Sequence, residues 1–480
     1  MFELHLPWLE LAVIAPLVGV GMVWRMRDAE AARRVTLYVM GITLLLTAGA
    51  WEDFSTLHTF AAHDHWSILP ASLAEAVVID ELSAPLLPLA ALLFFLTTLA
   101  TLRTKVRRFP FAWNLFSLAL VLAMLCCHEP WAVIALLAAQ GIPPAVELRA
   151  RGRSTRVFVA HMALSVGLLA GGWALIDADA PIESQPMPAV AMLMGGVLIR
   201  CGAVPVHCWL TDLFENATFG TSLLYIAPMS GAYAAVRLLL PVAPDWALHW
   251  VAVVSLLTAV YAAGMALVQR EARRFFVYLF LSHASLVLIG LESATPLGLS
   301  GGLCVWLSVG MSLAGLGITL RALESRTGRL SLDDYHGLYE HMPSLAVFFL
   351  LTGLASIGFP GTVGFVGMEL LFEGAVEFSP WVGVFLVLAA ALNGIAVMHA
   401  YFRLFTGAQH TASISLAARW PERAAMLTLT ALIIGGGVAP QPGVHSRYHA
   451  AAEIMSLRNT SASGGAPTGR LSEQAHPREE

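Results

Sequence analysis

Charge is scarce in this chain and lysine is nearly missing. Asp, Glu, Lys and Arg together make up 12% of 480 residues, and Lys105 is the single lysine. A soluble globular chain carries about 25% charged residues; here hydrophobic residues reach 58% and the mean hydropathy is +0.72. That deficit excludes soluble enzyme folds and makes this a membrane protein. A basic surplus is also absent. The net charge of −5 and a pI near 6.3 leave nothing to hold a phosphate backbone, so nucleic acid is not a partner. The five cysteines, Cys126, Cys127, Cys201, Cys208 and Cys304, show neither zinc spacing nor a disulfide framework and read as buried thiols. There is no haem, iron–sulfur or zinc pattern and no Gly-rich phosphate loop between a strand and a helix, so neither a cofactor nor a metal is expected and no nucleotide is expected to touch the chain.

What the chain has is apolar sequence in lengths that cross a bilayer. Windows of about 20 residues fall at 6–24, 35–51, 82–102, 109–127, 131–144, 157–176, 189–210, 223–240, 247–268, 275–291, 297–320, 344–371, 381–405 and 424–438. These predict an all-α polytopic fold of about 14 transmembrane helices. Short cytoplasmic loops collect Lys and Arg, and the basic residues alternate accordingly. Arg25, Arg27, Arg33 and Arg34 follow the first window; Arg103, Lys105, Arg107 and Arg108 follow the third; Arg149, Arg151, Arg153 and Arg156 follow the fifth. Arg270, Arg273 and Arg274 follow the ninth window and Arg321, Arg326 and Arg329 the eleventh, whereas 52–81 and 177–188 hold no Lys or Arg. Both termini are therefore expected on the non-cytoplasmic side of the cell inner (cytoplasmic) membrane. No basic flank or small-residue cleavage site marks the first window as a removable signal peptide.

Two windows are interrupted. Around Arg200 the sequence reads IRCGAVPVHCW, with Gly202 and Pro205; the second reads ASIGFPGTVGFVGMELL, with Gly358, Pro360, Gly361 and Gly364. Proline removes a backbone donor and crowds the preceding turn, and glycine lets the chain leave helical geometry. Unwound backbone at membrane depth is tolerated where it is buried in protein or lines a polar cavity, and paired interruptions in two halves point to a transport site. The alternative is a pair of packing kinks. The two interruptions fall in the seventh and twelfth windows, five apart, as two five-helix repeats would place them.

Ionisable groups at depth read as functional because burying charge in hydrocarbon is expensive. Arg200 stands at the first break with His207 and Asp212 following it, Glu369 lies just past the second, and Gln140, His161, Tyr278, His283, Asn393 and His399 lie between. Taken singly, His161 and His399 read as core histidines bonded to a neighbour, and Asn393 as a helix-packing hydrogen bond. Arg237, near a helix end, is expected to snorkel to the interface. The candidate set for a polar path is Arg200, Glu369, His207, His283, Gln140 and Asp212, with no catalytic residue and no metal ligand; that the path carries protons is what the resemblance below implies.

At these residues the sequence resembles the antiporter-like membrane subunits of respiratory NADH:quinone oxidoreductase, a superfamily shared with Mrp-type cation/proton antiporters and membrane-bound hydrogenases, and is most like the subunit M (chain 4) type. VPVHCWLTDLFENATFGTSLL (204–224) resembles the family's VPxHxWLPDAHxxAPxxxSxLL block, and EARRFFVYLFLSHASLVLIG (271–290) resembles its DxKRxxAYSSISHxG segment. LDDYHGL (332–338) and LASIGFPGTVGFVG (354–367) match the loop and broken helix of the second half, with IDELSAP (79–85) and PERAAML (421–427) at the flanks. The resemblance implies a proton-translocating module with no redox centre, made of two inverted five-helix repeats, each with a broken helix. It implies other membrane subunits of a multisubunit complex as partners, the lipid bilayer around it, and protons or Na+ as the ion. On that pattern 1–78 is a two-helix hairpin and outer loop, 79–245 the first half, 246–410 the second, 411–445 a C-terminal helix and 446–480 a disordered tail.

The sequence departs from the family's relay of Lys, Glu and His. The lysine of the seventh span aligns with Arg200 and that of the eighth with Met229; the glutamate of the fifth span has no counterpart nearer than Gln140. The central His or Lys of the eleventh span falls on Val309, and the glutamate at the second break falls on Met368, one residue before Glu369. A buried lysine can exchange its proton near neutral pH, whereas arginine holds its charge to a pKa above about 12. The main expectation is therefore a proton-translocating or coupling membrane subunit of an NADH:quinone oxidoreductase-type energy-converting complex with a divergent relay. The alternative is a non-pumping structural or coupling subunit, as in a two-component inorganic-carbon uptake system or an Mrp-type assembly. An independent transporter of an organic solute is the weakest reading, because the family blocks span both halves.

Overall fold

The computed structural model describes residues 3–66, 68, 76–177, 180–292, 295–407 and 416–462. Most of this is helix, because the apolar runs are long, carry few charges and must satisfy their backbone groups internally in lipid. Among the described residues, eight helices are long and apolar enough to cross a membrane: Ala29–Thr56, Pro130–Ala150, Arg156–Leu175, Phe219–Leu239, Asp245–Val268, Ala272–Leu291, Pro296–Thr327 and Pro380–Phe405. Five shorter apolar helices accompany them: Trp8–Trp24, Leu86–Leu99, Phe111–Leu125, Met187–Cys201 and Pro343–Ser356. The expected count of 14 is not reached by length and composition, since five apolar helices are shorter than a full span, two of them, Met187–Cys201 and Pro343–Ser356, because they end at the interruptions.

Burial sorts the spans into centre and rim. The apolar windows of Ala272–Leu291, Pro296–Thr327 and Phe219–Leu239 are 94%, 89% and 89% buried, whereas those of Ala29–Thr56 and Arg156–Leu175 are each 28% buried and face outward. Close approach at the centre depends on small residues. A side chain on Gly290 would meet the backbone of Gly302 at 2.8 Å, so Ala272–Glu292 and Pro296–Thr327 pack backbone to backbone there.

Among the described residues, three short strands form one small sheet. Glu3–Leu4 pairs in parallel with Ala61–Asp64, in register Glu3 to His63, and Ala61–Asp64 pairs antiparallel with Ile79–Asp80, in register Ala61 to Asp80. The helix Trp420–Val438 turns by 80° into Gln441–Ala462. Helix therefore replaces the disordered tail expected from residue 446 as far as Ala462; the remainder of that expectation lies outside the described residues. Three of the helix's charges, Arg447, Glu453 and Arg458, are buried against the bundle rather than solvated.

Candidate functional site

The first interruption is built by local backbone chemistry. Helix Met187–Cys201 ends at Gly202, whose φ of 75° is left-handed and natural to glycine. The Gly202 and Ala203 amides donate back to Ile199 and Leu198 at 3.0 and 2.9 Å, closing the helix end. Val204 N–H donates to Thr258 Oγ1 at 3.1 Å, and the Trp209 indole donates to the Ile199 carbonyl at 2.9 Å. The chain then resumes as helix Cys208–Asn216. Protein groups therefore meet the backbone demand of the break, as a bilayer requires.

Arg200 occupies the last turn before Gly202 and is 6% exposed. Its Nη2 donates to Gln140 Oε1 at 2.9 Å; its Nη1 meets the Tyr225 hydroxyl and lies 3.1 Å from Met162 Sδ. The guanidinium also stands 4.6 Å from the Tyr225 ring centre. Ser230 Oγ donates to the same Gln140 oxygen at 2.8 Å. Among the described residues no carboxylate lies within ion-pair distance of Arg200. Beside it is a cavity of about 40 Å³ lined by Arg200, Tyr225, Met229, Ser230, Phe280 and Ala284, room enough for a water molecule. A mid-bundle cation is thus held by neutral oxygens and a ring face beside a small cavity.

Tyr225 and Ser230 reach this group through a third interruption that the sequence reading missed. Helix Phe219–Ile226 stops before Pro228, Met229 takes a left-handed φ of 54°, and the chain resumes at Ser230–Ala234 and as a π-helical turn over Ala235–Leu239. Pro228 was the only signal available, since nothing about methionine announces that conformation.

The second interruption has a related backbone. Pro343–Ser356 ends before Gly358 with φ 79°, Gly361 follows with φ 83°, and Thr362 precedes helix Val363–Phe378. Residues 359–361 are exposed here, as is Glu369. Pro360 thus lies in the break, whereas Gly364 falls in the first turn of the next helix, where a side chain would collide with Ser308. Glu369 does not join Arg200: it faces outward from the chain and the two are not brought together.

The remaining residues form separate groups. His207 is half-buried at the start of Cys208–Asn216, its ring 5.7 and 5.9 Å from those of Tyr261 and Tyr278; Asp212 Oδ1 accepts from Asn216 Nδ2 at 3.0 Å. His283 is buried, with Nδ1 2.8 Å from the Leu279 carbonyl, and lies beside the backbone of Ser356 at the entry to the second break. Asn393 donates to Ser282 Oγ at 2.8 Å. Asn393 Oδ1, His283 Nε2, Ser255 Oγ and Ser308 Oγ are buried without a partner among the described residues. Such atoms are the places where internal water is found. His161 Nδ1 is 2.7 Å from the Val157 carbonyl and its Nε2 is 3.2 Å from Cys208 Sγ, while His399 Nε2 accepts from Arg403 at 3.3 Å. Cys208 is exposed and Cys201 half-buried, so the expectation of buried thiols holds for Cys126, Cys127 and Cys304 alone.

Arg237 does not snorkel. It is 12% exposed and pairs with Asp80 Oδ2 at 2.5 Å, with His128 Nε2 at 3.0 Å from the guanidinium and 3.2 Å from the same carboxylate. Burial pushes the Asp80 carboxyl up, but Arg237 and His128 outweigh it and hold Asp80 well below the usual carboxylate range. The partners are 157 residues apart, and the π-helical turn aims Arg237 inward. Of the loop cations, Arg273 binds Glu324 (Nε to Oε2, 2.6 Å) and Arg326 binds Glu422 at 2.5 Å.

Residues 174–393, a stretch that includes all three interruptions, match the family model described as NADH:quinone oxidoreductase/Mrp antiporter, TM. NAD(P)H-quinone oxidoreductase chain 4 of Synechococcus sp. (strain WH7803) is 29% identical over 430 residues, covering 82% of this chain and 77% of the relative. The chain 4 1 protein of Picosynechococcus sp. (strain ATCC 27264 / PCC 7002 / PR-6) is 27% identical over 440 residues, covering 83% and 80%. In fold, the chain is similar to a subunit of respiratory complex I from Thermus thermophilus, with a TM-score of 0.80 at 23% identity, covering 94% of this chain and 99% of that one. It is equally similar to a subunit of the Mrp complex from Dietzia sp. DQ12-45-1b, with a TM-score of 0.80 at 17% identity, covering 96% and 99%. The chain is thus similar to the NADH:quinone oxidoreductase/Mrp antiporter family over residues 174–393 and to NAD(P)H-quinone oxidoreductase chain 4 proteins over most of its length.

Proposed function

We propose that this chain is an antiporter-like, proton-translocating membrane subunit of an NADH:quinone oxidoreductase-type complex, in which Arg200 is a fixed charge controlling the passage of protons. The single observation that carries this reading is a buried guanidinium, beside unwound backbone and a small cavity, with no carboxylate among the described residues to neutralise it. A charge in that position is costly unless hydrated or used. Because arginine does not release its proton near neutral pH, Arg200 acts by its field. Protons pass by water and hydroxyls, for which Ser230, Tyr225 and the unpartnered atoms near His283 and Asn393 supply stepping points.

The chain 4 relatives support partnership with other membrane subunits. The alternation of arginine-bearing loops supports placing both termini on the non-cytoplasmic side of the cytoplasmic membrane. The outward-facing Glu369 is assigned to the boundary with a neighbouring subunit or lipid rather than to the path through this chain. The test is proton flux in proteoliposomes holding the assembled complex, comparing wild type with Arg200→Met. Loss of coupled flux is expected; unchanged flux would remove Arg200 from the function.

A further inference from the structure

The helix Gln441–Ala462 has two faces with different chemistry. Its inner face is pinned to the bundle: Arg447 Nη1 donates to the Leu82 carbonyl at 3.1 Å and its Nη2 to the Glu81 carbonyl. A few turns on, Arg458 donates to the Leu240 and Ala243 carbonyls at 2.7 Å each and to Asp245 at 2.6 Å. The other face carries His445, which is exposed, and His449, which is half-buried. Residues four apart on a helix are neighbours one turn removed. Here the two Nε2 atoms are 2.8 Å apart, with ring planes at 86° and ring centres 4.2 Å apart.

We propose that His445 and His449 form a chelating site for a divalent transition-metal ion of tetragonal preference, Cu2+ or Ni2+. Imidazole is the commonest protein metal ligand; in the metal-free pair one Nε2 donates to the other, and an ion takes the place of that shared proton, with both rings then protonated at Nδ1. The spacing selects the geometry. An ion about 2.0–2.1 Å from each nitrogen subtends an angle of about 85–90° when the nitrogens are 2.8 Å apart, and a tetrahedral ion would need them at about 3.3 Å. An angle near 90° is that of adjacent ligands in square-planar or tetragonal coordination, which Cu2+ and Ni2+ favour. Two protein nitrogens leave the remaining positions to water. A bound ion ties consecutive turns together and stiffens the segment from which Arg447 reaches Glu81 and Leu82.

The site lies outside the Arg200 group, and its test does not depend on ion translocation. The assembled complex in detergent is titrated with Cu2+ and followed by electron paramagnetic resonance, alongside His445→Ala, His449→Ala and the bulk-preserving His445→Gln. Wild type should give a tetragonal spectrum with splitting from two equatorial nitrogens. Each variant should lose the two-nitrogen pattern and bind about tenfold more weakly or worse, with unchanged circular dichroism showing that the fold survives. A wild-type spectrum without two-nitrogen splitting would mean that the two rings only hydrogen-bond each other. The same splitting in all three variants would place the ion elsewhere; either result overturns the proposal.

Discussion

The interruptions at 202–206 and 357–362 use one backbone device, a left-handed glycine followed within three residues by proline. They hold different things. Around the first, the amides and carbonyls are met by Thr258 and Trp209, and the break presents Arg200 to Gln140, Tyr225 and a small cavity inside the protein. Around the second, residues 359–361 and Glu369 face outward, and the buried polar groups stand behind the break, at His283 and Ser308. Unwound backbone therefore marks where polar chemistry can enter a bilayer, but side-chain direction decides whether it serves this chain or its boundary. A second contrast lies within the first half. Arg237 is compensated by Asp80, whereas Arg200 has no carboxylate partner among the described residues.

The largest expected effect is that of Arg200→Met, which should lower coupled proton flux by about tenfold or more, since it removes the charge on which the first break is centred. Asp80→Asn tests the second contrast. Leaving Arg237 buried without its counter-ion should cost about 3 kcal/mol of stability, read as a lower midpoint of thermal unfolding in detergent, with flux per folded complex retained. A flux loss as deep as that of Arg200→Met would erase the distinction between the paired and the unpaired arginine. Gln140→Glu sets a carboxylate against Arg200 and should reduce coupled flux about threefold by neutralising its field, since charge pairs interact strongly away from bulk water. Glu369→Gln should change flux less than about twofold within the complex, as an exposed carboxylate makes a small contribution. Equal losses in Glu369→Gln and Arg200→Met would mean that the two breaks act alike.

Much of the architecture was legible because its signals are local. Apolar windows gave most helices, and Gly202, Pro205, Gly358 and Pro360 marked both glycine–proline breaks. Gln140 stood out as the nearest polar group where a carboxylate was missing, and it does meet Arg200. What escaped depends on distance or on context. Tyr225 and Ser230 converge on Arg200 only because Met229 turns left-handed, a conformation that tertiary packing imposes on a residue with no preference for it. The Asp80–Arg237 pair joins residues 157 apart, so Arg237 looked like an interfacial anchor. The stretch from residue 446 reads as a disordered tail by composition, whereas helix runs on to Ala462 and the burial of Arg447 and Arg458 follows from backbone carbonyls elsewhere in the chain. Glu369 illustrates the converse: residue type and spacing marked it, but it stands on the exposed face of Val363–Phe378, whose other face packs on Pro296–Thr327.

The central claim is that a non-titrating charge at the first break governs proton passage, and the pH profile of flux tests it most directly. In reconstituted complex between pH 6 and 9, wild type should show no step attributable to residue 200, whereas Arg200→Lys should acquire one, because a buried lysine exchanges its proton near neutrality. Identical profiles and rates in wild type, Arg200→Lys and Arg200→Met would contradict the account.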